Sequence, residues 1–334
     1  AFADTETVPF ADVLLPAATW GEQDGTMTNS ERCIARVRAA VAPPGEARAD
    51  WQIVCDFARR LMPEAGARLF PYASAEAVFN EHRETTRGRD LDITGLSYAL
   101  LDAAPQQWPF PEGATAGRMR LYTDGVYPTA NGRARFHAEP YRPVAEAIDA
   151  RYPLHFNTGR LRDQWHAMSR TGRVARLFAH ADAPVLAMNT RDMDVRRLQA
   201  GELVRVKSRR GDVVVAVEAS DSLRPGQCFL PMHWGARFMG GLGVNALTLP
   251  LFDPVSKQPE FKHAAVQVAK AELPWRMAAL AVGDGARLLD AVQPLLRACD
   301  YAAAGLAGRE RDVLTLRLAH TQPLPDGLLA ALDA

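Results

Sequence analysis

Between Tyr152 and about Val268 the chain breaks into short runs of apolar and β-branched residues, each closed by a turn signal. The clearest is Asp212-Val213-Val214-Val215-Ala216-Val217, which follows Leu203–Ser208 across the turn Arg209-Arg210-Gly211. Branched side chains pack well on a pleated surface, so such runs read as strands, and Gly with polar neighbours reads as the connection between them. Leu154–Thr158, Val185–Asn189 and Cys228–Pro231 read the same way. Many short strands with one helical insertion predict a compact barrel.

The rest of the chain is organised differently. Phe10–Ala18 reads as a short buried strand that Pro16 ends, and Trp20–Arg32 as a polar loop. After the break at Pro43-Pro44-Gly45, Asp50 falls at the N-cap of a helix over Trp51–Leu61, where Ile53, Val54, Phe57, Ala58 and Leu61 recur at helical spacing. A second helix is predicted over Ser74–Thr85. Proline and glycine punctuate Ala103–Tyr141, which reads as an irregular connection. The Ala/Leu-rich tail, Glu272–Ala334, reads as helices plus a final strand, Val313–Leu318.

Lys plus Arg equals Asp plus Glu, 39 each, so no excess of positive charge points to nucleic acid. No apolar run reaches the roughly 18 residues of a membrane span. Cys33, Cys55, Cys228 and Cys299 form no Cys-x-x-Cys pair, which argues against a zinc ribbon or a ferredoxin-type cluster. Scattered single thiols fit a reducing compartment, so a cytoplasmic location is expected. Ala1-Phe2-Ala3-Asp4 has neither the basic start nor the apolar stretch of a signal peptide; it reads as the interior of a longer chain.

Three stretches are candidates for carrying chemistry. In His155–Arg176 five arginines interleave with Asn157, Thr158, Gly159, Ser169, Thr171 and Gly172. Small residues after a strand expose backbone N–H groups to an anion, arginine adds planar bidentate donors, and Trp165 and His166 offer flat surfaces to a ring system. The stretch reads as a cradle for a pyrophosphate and a heterocycle; the competing reading is a solvated basic loop with Trp165 in the core. In Pro231–Lys262, Gly240-Gly241-x-Gly243 fits neither the P-loop nor the dinucleotide fingerprint, and His233 reads as a satisfied core residue. Trp20–Arg32 reads by itself as a surface loop.

Together these stretches resemble one family. ADVLLPAATWGEQDGTMTNSER (Ala11–Arg32) with PPGEARADW (Pro43–Trp51), NTGRLRDQWHAMSRTGRV (Asn157–Val174) and DPVSKQPEFKHAAVQV (Asp253–Val268) resemble the dimethyl-sulfoxide-reductase superfamily of molybdopterin oxidoreductases. QQWPFPEG (Gln106–Gly113) and RLYTDGVYPTANGRARF (Arg120–Phe136) are similar to assimilatory nitrate reductases, although formate dehydrogenases share much of the pattern.

The resemblance implies an α/β plus β fold. Residues 1–140 would be the end of the large α/β molybdopterin domains, and 150–270 a double-psi β-barrel. Residues 272–334 would be a tail of unknown role. The implied cofactor is Mo-bis(molybdopterin guanine dinucleotide). Gln23 and Asp50 would contact one guanine dinucleotide; the family often has Lys at the first position, and Gln23 is neutral. Thr158, Gly159, Arg160, Leu161, Arg162, Asp163, Gln164, Trp165, His166 and Ala167 would wrap a pyrophosphate and pterin, with Asn157 adjacent and Asn245 and Lys262 completing the cradle. Arg237, beside Trp234, is a candidate for drawing nitrate toward the metal. The [4Fe–4S] cysteines and the molybdenum ligand would lie upstream, outside these residues. An electron-donor protein or reductase subunit would be the partner, with neither nucleic acid nor membrane involved. The alternatives are formate oxidation on the same scaffold and a non-catalytic chain that binds the cofactor or a partner.

Overall fold

A computed structural model describes residues 5, 7–178, 180–324 and 330. Its contacts divide the chain into two units, Pro9–Pro140 and a second that holds Tyr141–Ala334 together with the residues before Pro9.

In Pro9–Pro140, β1 (Gly25–Thr28) and β2 (Cys33–Val37) form an antiparallel hairpin, with Gly25 opposite Val37 and Thr28 opposite Ile34. The Asn29 side-chain oxygen accepts from the N–H groups of Glu31 and Cys33 at 2.9 and 3.0 Å. That closes a tight turn of the kind asparagine makes with its own backbone. The hairpin corrects the reading of Trp20–Arg32 as a loop: Gly-Thr-Met-Thr is too short a run to stand out among polar neighbours, and the turn behind it brings it against β2.

Helices α1 (Asp50–Leu61), α2 (Pro63–Leu69), α3 (Ala75–Glu84) and α4 (Tyr98–Ala103) follow, and the two-residue β3 (Gln106–Gln107) pairs with β2. The Ser74 hydroxyl accepts from the Ala77 N–H at 3.1 Å, so α3 begins where a capping serine allows it. Ile34, Phe79, Leu96, Leu101 and Phe110 form the small core of this unit.

Two expectations fail here. Asp50 is the first helical residue rather than the cap, because Ala49 holds the extended N-cap conformation and gives no side-chain bond. Phe10–Ala18 is not a buried strand: a 3-10 turn spans Val8–Phe10, and Val13, Leu14 and Leu15 lie exposed. Only Ala17 bridges to another segment, at Arg48. An apolar run needs a neighbouring strand to become one, and the described residues do not supply it.

The second unit is built on β4 (Leu154–Gly159), α5 (Ala175–Phe178), β5 (Val185–Met188), α6 (Thr190–Val195), β6 (Leu203–Lys207), β7 (Asp212–Ala219), β8 (Gln227–Pro231) and β9 (Ala264–Lys270). The six strands close into a barrel in the order β4-β8-β5-β7-β6-β9. The β4–β8 and β5–β7 pairs are parallel and the other pairs antiparallel. Val204, Val206, Val215, Leu230 and Val266 are among the residues that fill its core. The predicted compact barrel is therefore observed, and β9 joins the five strands read from the sequence.

The tail departs from its reading as helices plus one strand. β10 (Trp275–Gly283), α7 (Gly285–Ala291), α8 (Gln293–Ala298), β11 (Tyr301–Ala307) and β12 (Asp312–His320) form an antiparallel sheet ordered β10-β12-β11 with two short helices. β11 is Tyr-Ala-Ala-Ala-Gly-Leu-Ala, and alanine favours helix. Pairing with β12 along its whole length overrides that preference. Among the described residues no helix is long and apolar enough to cross a membrane.

Candidate cofactor-binding site

Strands β4 and β8 run side by side and parallel, with Gly159 opposite Pro231, so the chain leaves both at the same rim of the barrel. The Met232 N–H donates to the Gly159 carbonyl at 2.9 Å, the last rung between the two segments. Beyond it the backbone is open. The N–H groups of Arg160, Leu161, Arg162 and Asp163 have no acceptor among the described residues. Successive open donors next to cations are what a backbone uses to hold an anion.

The cations converge from distant parts of the sequence. Lys262 Nζ donates to the Thr158 carbonyl at 2.8 Å, which places a residue from just before β9 at the start of the open run. The Arg160 guanidinium donates to His166 Nε2 at 3.0 Å. Arg162 pairs with Asp163 at 3.1 Å, and Asp163 also contacts His180 Nδ1. The Asn157 side chain is exposed, whereas Thr158 turns inward and its hydroxyl donates to the Leu230 carbonyl at 2.8 Å. Thr158 thus serves the barrel with its side chain and the site only with its backbone.

The far end of the run is braced. Buried Gln164 donates through Nε2 to the Leu177 carbonyl at 3.0 Å and accepts from the Thr171 hydroxyl. The same hydroxyl accepts from the Trp165 N–H at 3.0 Å. Trp165 remains 44% exposed, edge-on to His166 with ring centroids 5.2 Å apart and with Arg170 5.0 Å from its ring. This exposure excludes the alternative that placed Trp165 in the core. Ala167 and Met168 then take left-handed backbone angles, φ 49° and 51°. Residues with a side chain rarely adopt these without surrounding contacts that enforce them.

His233 departs from its expected role. It is 1% exposed, yet neither ring nitrogen makes a hydrogen bond, and Trp234 Nε1 beside it is also unpaired. Burial, helped by His166 and Arg160, holds the His233 pKa below the ordinary histidine value; the Trp165 backbone opposes this but lies outside hydrogen-bond geometry. Buried polar groups are nearly always paired, so these nitrogens are oddities at the rim where β8 ends. Nothing in Met232-His233-Trp234 signals this from sequence.

The remaining candidates lie elsewhere. Asn245 is exposed at the 3-10 turn Val244–Leu247, and no described side-chain hydrogen bond joins it to Asn157–Ala167. Arg237 is largely buried, and its guanidinium donates to Asp290 of α7 at 3.0 Å. Gln23 and Asp50 belong to the Pro9–Pro140 unit. Half-buried Gln23 ends the 3-10 turn Trp20–Glu22, and exposed Asp50 opens α1. The Ala18 N–H donates to the Arg48 carbonyl at 2.8 Å, which draws these two segments together.

Open backbone donors, Lys262, Arg160 and an exposed indole are of the kinds that suit a phosphate joined to a flat ring system. Residues 154–265 match the molydopterin dinucleotide binding domain, and residues 1–60 match molybdopterin oxidoreductase. The chain belongs to the molybdopterin oxidoreductase family.

A nitrate reductase of Klebsiella oxytoca is 41% identical over 276 residues, 80% of this chain and 31% of the relative. An F420-dependent formate dehydrogenase subunit alpha of Methanocaldococcus jannaschii is 35% identical over 266 residues, again 80% of this chain and 38% of the relative. The chain thus spans about a third of the length of these relatives. Acetylene hydratase from Pelobacter acetylenicus shares the fold, with a TM-score of 0.58 at 17% identity over 79% of this chain and 39% of that one.

Proposed function

We propose that this chain is the C-terminal cofactor-binding portion of a molybdenum-dependent nitrate reductase, which converts nitrate to nitrite for assimilation. The cofactor of this reading is Mo-bis(molybdopterin guanine dinucleotide). The observation that carries it is the open run of N–H groups at Arg160–Asp163 beside Lys262. When bound, the molybdenum supplies the oxygen-atom transfer; the protein supplies orientation and electrostatics. Lys262, Arg160 and the backbone of Gly159–Asp163 hold the pyrophosphate, and the exposed face of Trp165 lies against the ring system. Gln164 and Thr171 keep that face in place. Neutral His233 is ready to hydrogen-bond without adding charge.

In the same reading residues 1–140 close an α/β molybdopterin domain, and Gln23 and Asp50 recognise guanine. Residues 150–270 are a double-psi barrel, supported by the parallel pairs β4–β8 and β5–β7. Asn157 and Asn245 line the dinucleotide. Arg237, paired with Asp290 at 3.0 Å, is the candidate for drawing nitrate toward the metal. The [4Fe–4S] cluster lies in residues upstream, an electron-donor protein or reductase subunit feeds it, and four free thiols support a cytoplasmic site of action. The formate dehydrogenase relative keeps formate oxidation as the second reading.

The test uses the full-length protein purified with its cofactor. Arg160→Ala and Lys262→Ala each remove a charge-assisted contact to phosphate, about 1.5–3 kcal/mol per bond. Both should lower molybdenum content and the GMP released by acid. Unchanged content in both variants removes the assignment of these positions. Nitrite formation with reduced viologen, set against formate oxidation, decides between the two reactions.

A further inference from the structure

The tail grips the barrel at one place. The Arg237 carbonyl accepts from Gln293 Nε2 at 2.9 Å, and the same amide donates to the Leu289 carbonyl at 3.0 Å. The Phe238 carbonyl accepts from the Ala304 N–H at 2.9 Å, and the Gly240 N–H donates to the Ala302 carbonyl at 3.0 Å. A Cβ on Gly240 would stand 3.2 Å from the Ala302 nitrogen, so the approach is close enough to favour glycine. Asp290 holds the Arg237 guanidinium at 3.0 Å. The segment Arg237–Gly240, which follows β8 out of the barrel, is thus fastened by α7, α8 and β11.

That segment in turn supports the site. The Phe238 ring lies against Gly172, where an added Cβ would fall 2.5 Å from Phe238 Cζ. It also meets Phe178 with centroids 5.7 Å apart. Gly172 follows Thr171, whose hydroxyl holds both the Gln164 side chain and the Trp165 N–H. A continuous line of contacts therefore runs from Gln293 through the Arg237 carbonyl, the Phe238 ring, Gly172 and Thr171 to Trp165. The left-handed Ala167 and Met168 lie between the two ends of the brace, where the backbone depends on enforcement from outside.

We propose that Gln293 is a positioning residue for the cofactor cradle, and that the module Trp275–His320 clamps the Trp165–Thr171 turn through Phe238. The inference rests on the cofactor reading above for its consequence, but not for its geometry. Gln293 touches no cradle residue; it fixes the backbone that carries Phe238. Removing its donor loosens the turn while leaving the barrel ladder intact.

The experiment compares wild type with Gln293→Leu, which keeps bulk and loses the donor, and Gln293→Lys, which returns a donor. Hydrogen exchange is read on peptides covering Gln164–Thr171 and, as reference, β6–β7; GMP retained by the full-length cofactor-loaded protein is read after dialysis. In Gln293→Leu, exchange over Gln164–Thr171 should rise about tenfold, as expected for one lost hydrogen bond. The β6–β7 peptides should stay unchanged, cofactor loss should accelerate in parallel, and Gln293→Lys should restore both.

Asp290→Asn, at a largely exposed carboxylate, should shift the same peptides by less. Unchanged exchange over Gln164–Thr171 overturns the proposal, as does equal acceleration in β6–β7, which marks a merely structural role. If wild-type protein carries no GMP, the cofactor reading falls while the exchange data still decide the clamp.

Discussion

In the barrel Val204, Val206, Val215 and Leu230 are at or near zero exposure, whereas on α1 Val54, Phe57 and Leu61 are 53%, 59% and 64% exposed. Both sets show regular apolar periodicity. The barrel closes its own ladder, so its inward residues find partners within the chain. A helix offers only a stripe, and something else must cover it. Val13, Leu14 and Leu15 in the same unit are exposed as well. Large exposed apolar side chains repeated along a helix are typical of interaction surfaces. In the proposed function the remainder of the enzyme covers it, consistent with relatives of which this chain spans 31% and 38%.

The comparison can be broken most directly by truncating one residue from each set. Leu230→Ala should destabilise the barrel by about 2–5 kcal/mol, the usual cost of deleting a buried aliphatic side chain. Phe57→Ala in this chain should change stability by no more than about 0.5 kcal/mol, the range of surface substitutions. Urea midpoints of the two variants check this. A large loss from Phe57→Ala would mean that α1 is already covered in the isolated chain.

The same contrast explains what could be read in advance. β6 and β7 were legible because valine recurs through them and Arg209-Arg210-Gly211 separates them. The candidate cradle stood out because arginines, small polar residues and an aromatic pair fall within one stretch after a strand. β1 was not legible, since four residues opened by a glycine among polar neighbours are too short a run to read, and β11 was not, since alanine favours helix until pairing decides it. His233 was read as a satisfied core residue because burial can be inferred from its neighbours, whereas the absence of a partner depends on segments far away in sequence. Gly172 against Phe238 is of the same kind: 66 residues separate them, and only packing reveals why a side chain is not tolerated there.

A second contrast concerns charge. Glu146 lies ahead of β4 and packs nearly buried against the barrel. Its carboxylate accepts from Arg210 at 2.9 Å, from Arg209 at 2.8 Å and from the Ala265 N–H at 3.0 Å. The Glu146 carbonyl accepts from His263 Nε2 at 2.7 Å. The Arg210 bond, followed by the Ala265 and Arg209 bonds, outweighs burial and holds the Glu146 pKa at about 2, below its ordinary 4.5.

A depressed folded-state pKa stabilises the protein fully above the unfolded value and loses that contribution as pH falls toward the folded one. Wild-type stability should therefore drop by about 2–3 kcal/mol between pH 4.5 and 2 from this group. Glu146→Gln should flatten that part of the profile and cost a similar amount at pH 7. A pH profile identical in the two proteins would show that the Glu146 carboxylate contributes nothing to the stability of the barrel.

The smallest effect on stability is expected at Asp50, and it separates two roles that the sequence left joined. Because Ala49 occupies the N-cap, Asp50 makes no capping bond; as the first helical residue it only places negative charge near the helix N-terminus. Such a charge is worth about 0.3–1 kcal/mol. Asp50→Asn removes it, so the melting temperature should fall by no more than a few degrees. A guanine edge offers two N–H groups, and a carboxylate accepts both, whereas a carboxamide can accept only through its single oxygen. In the full-length protein the substitution should therefore lower retained GMP by more than the change in stability accounts for. A melting temperature that falls while GMP retention stays at the wild-type level would leave Asp50 with its helix charge alone, and the search for guanine recognition would move to Gln23 and the rest of the Trp20–Gln23 turn.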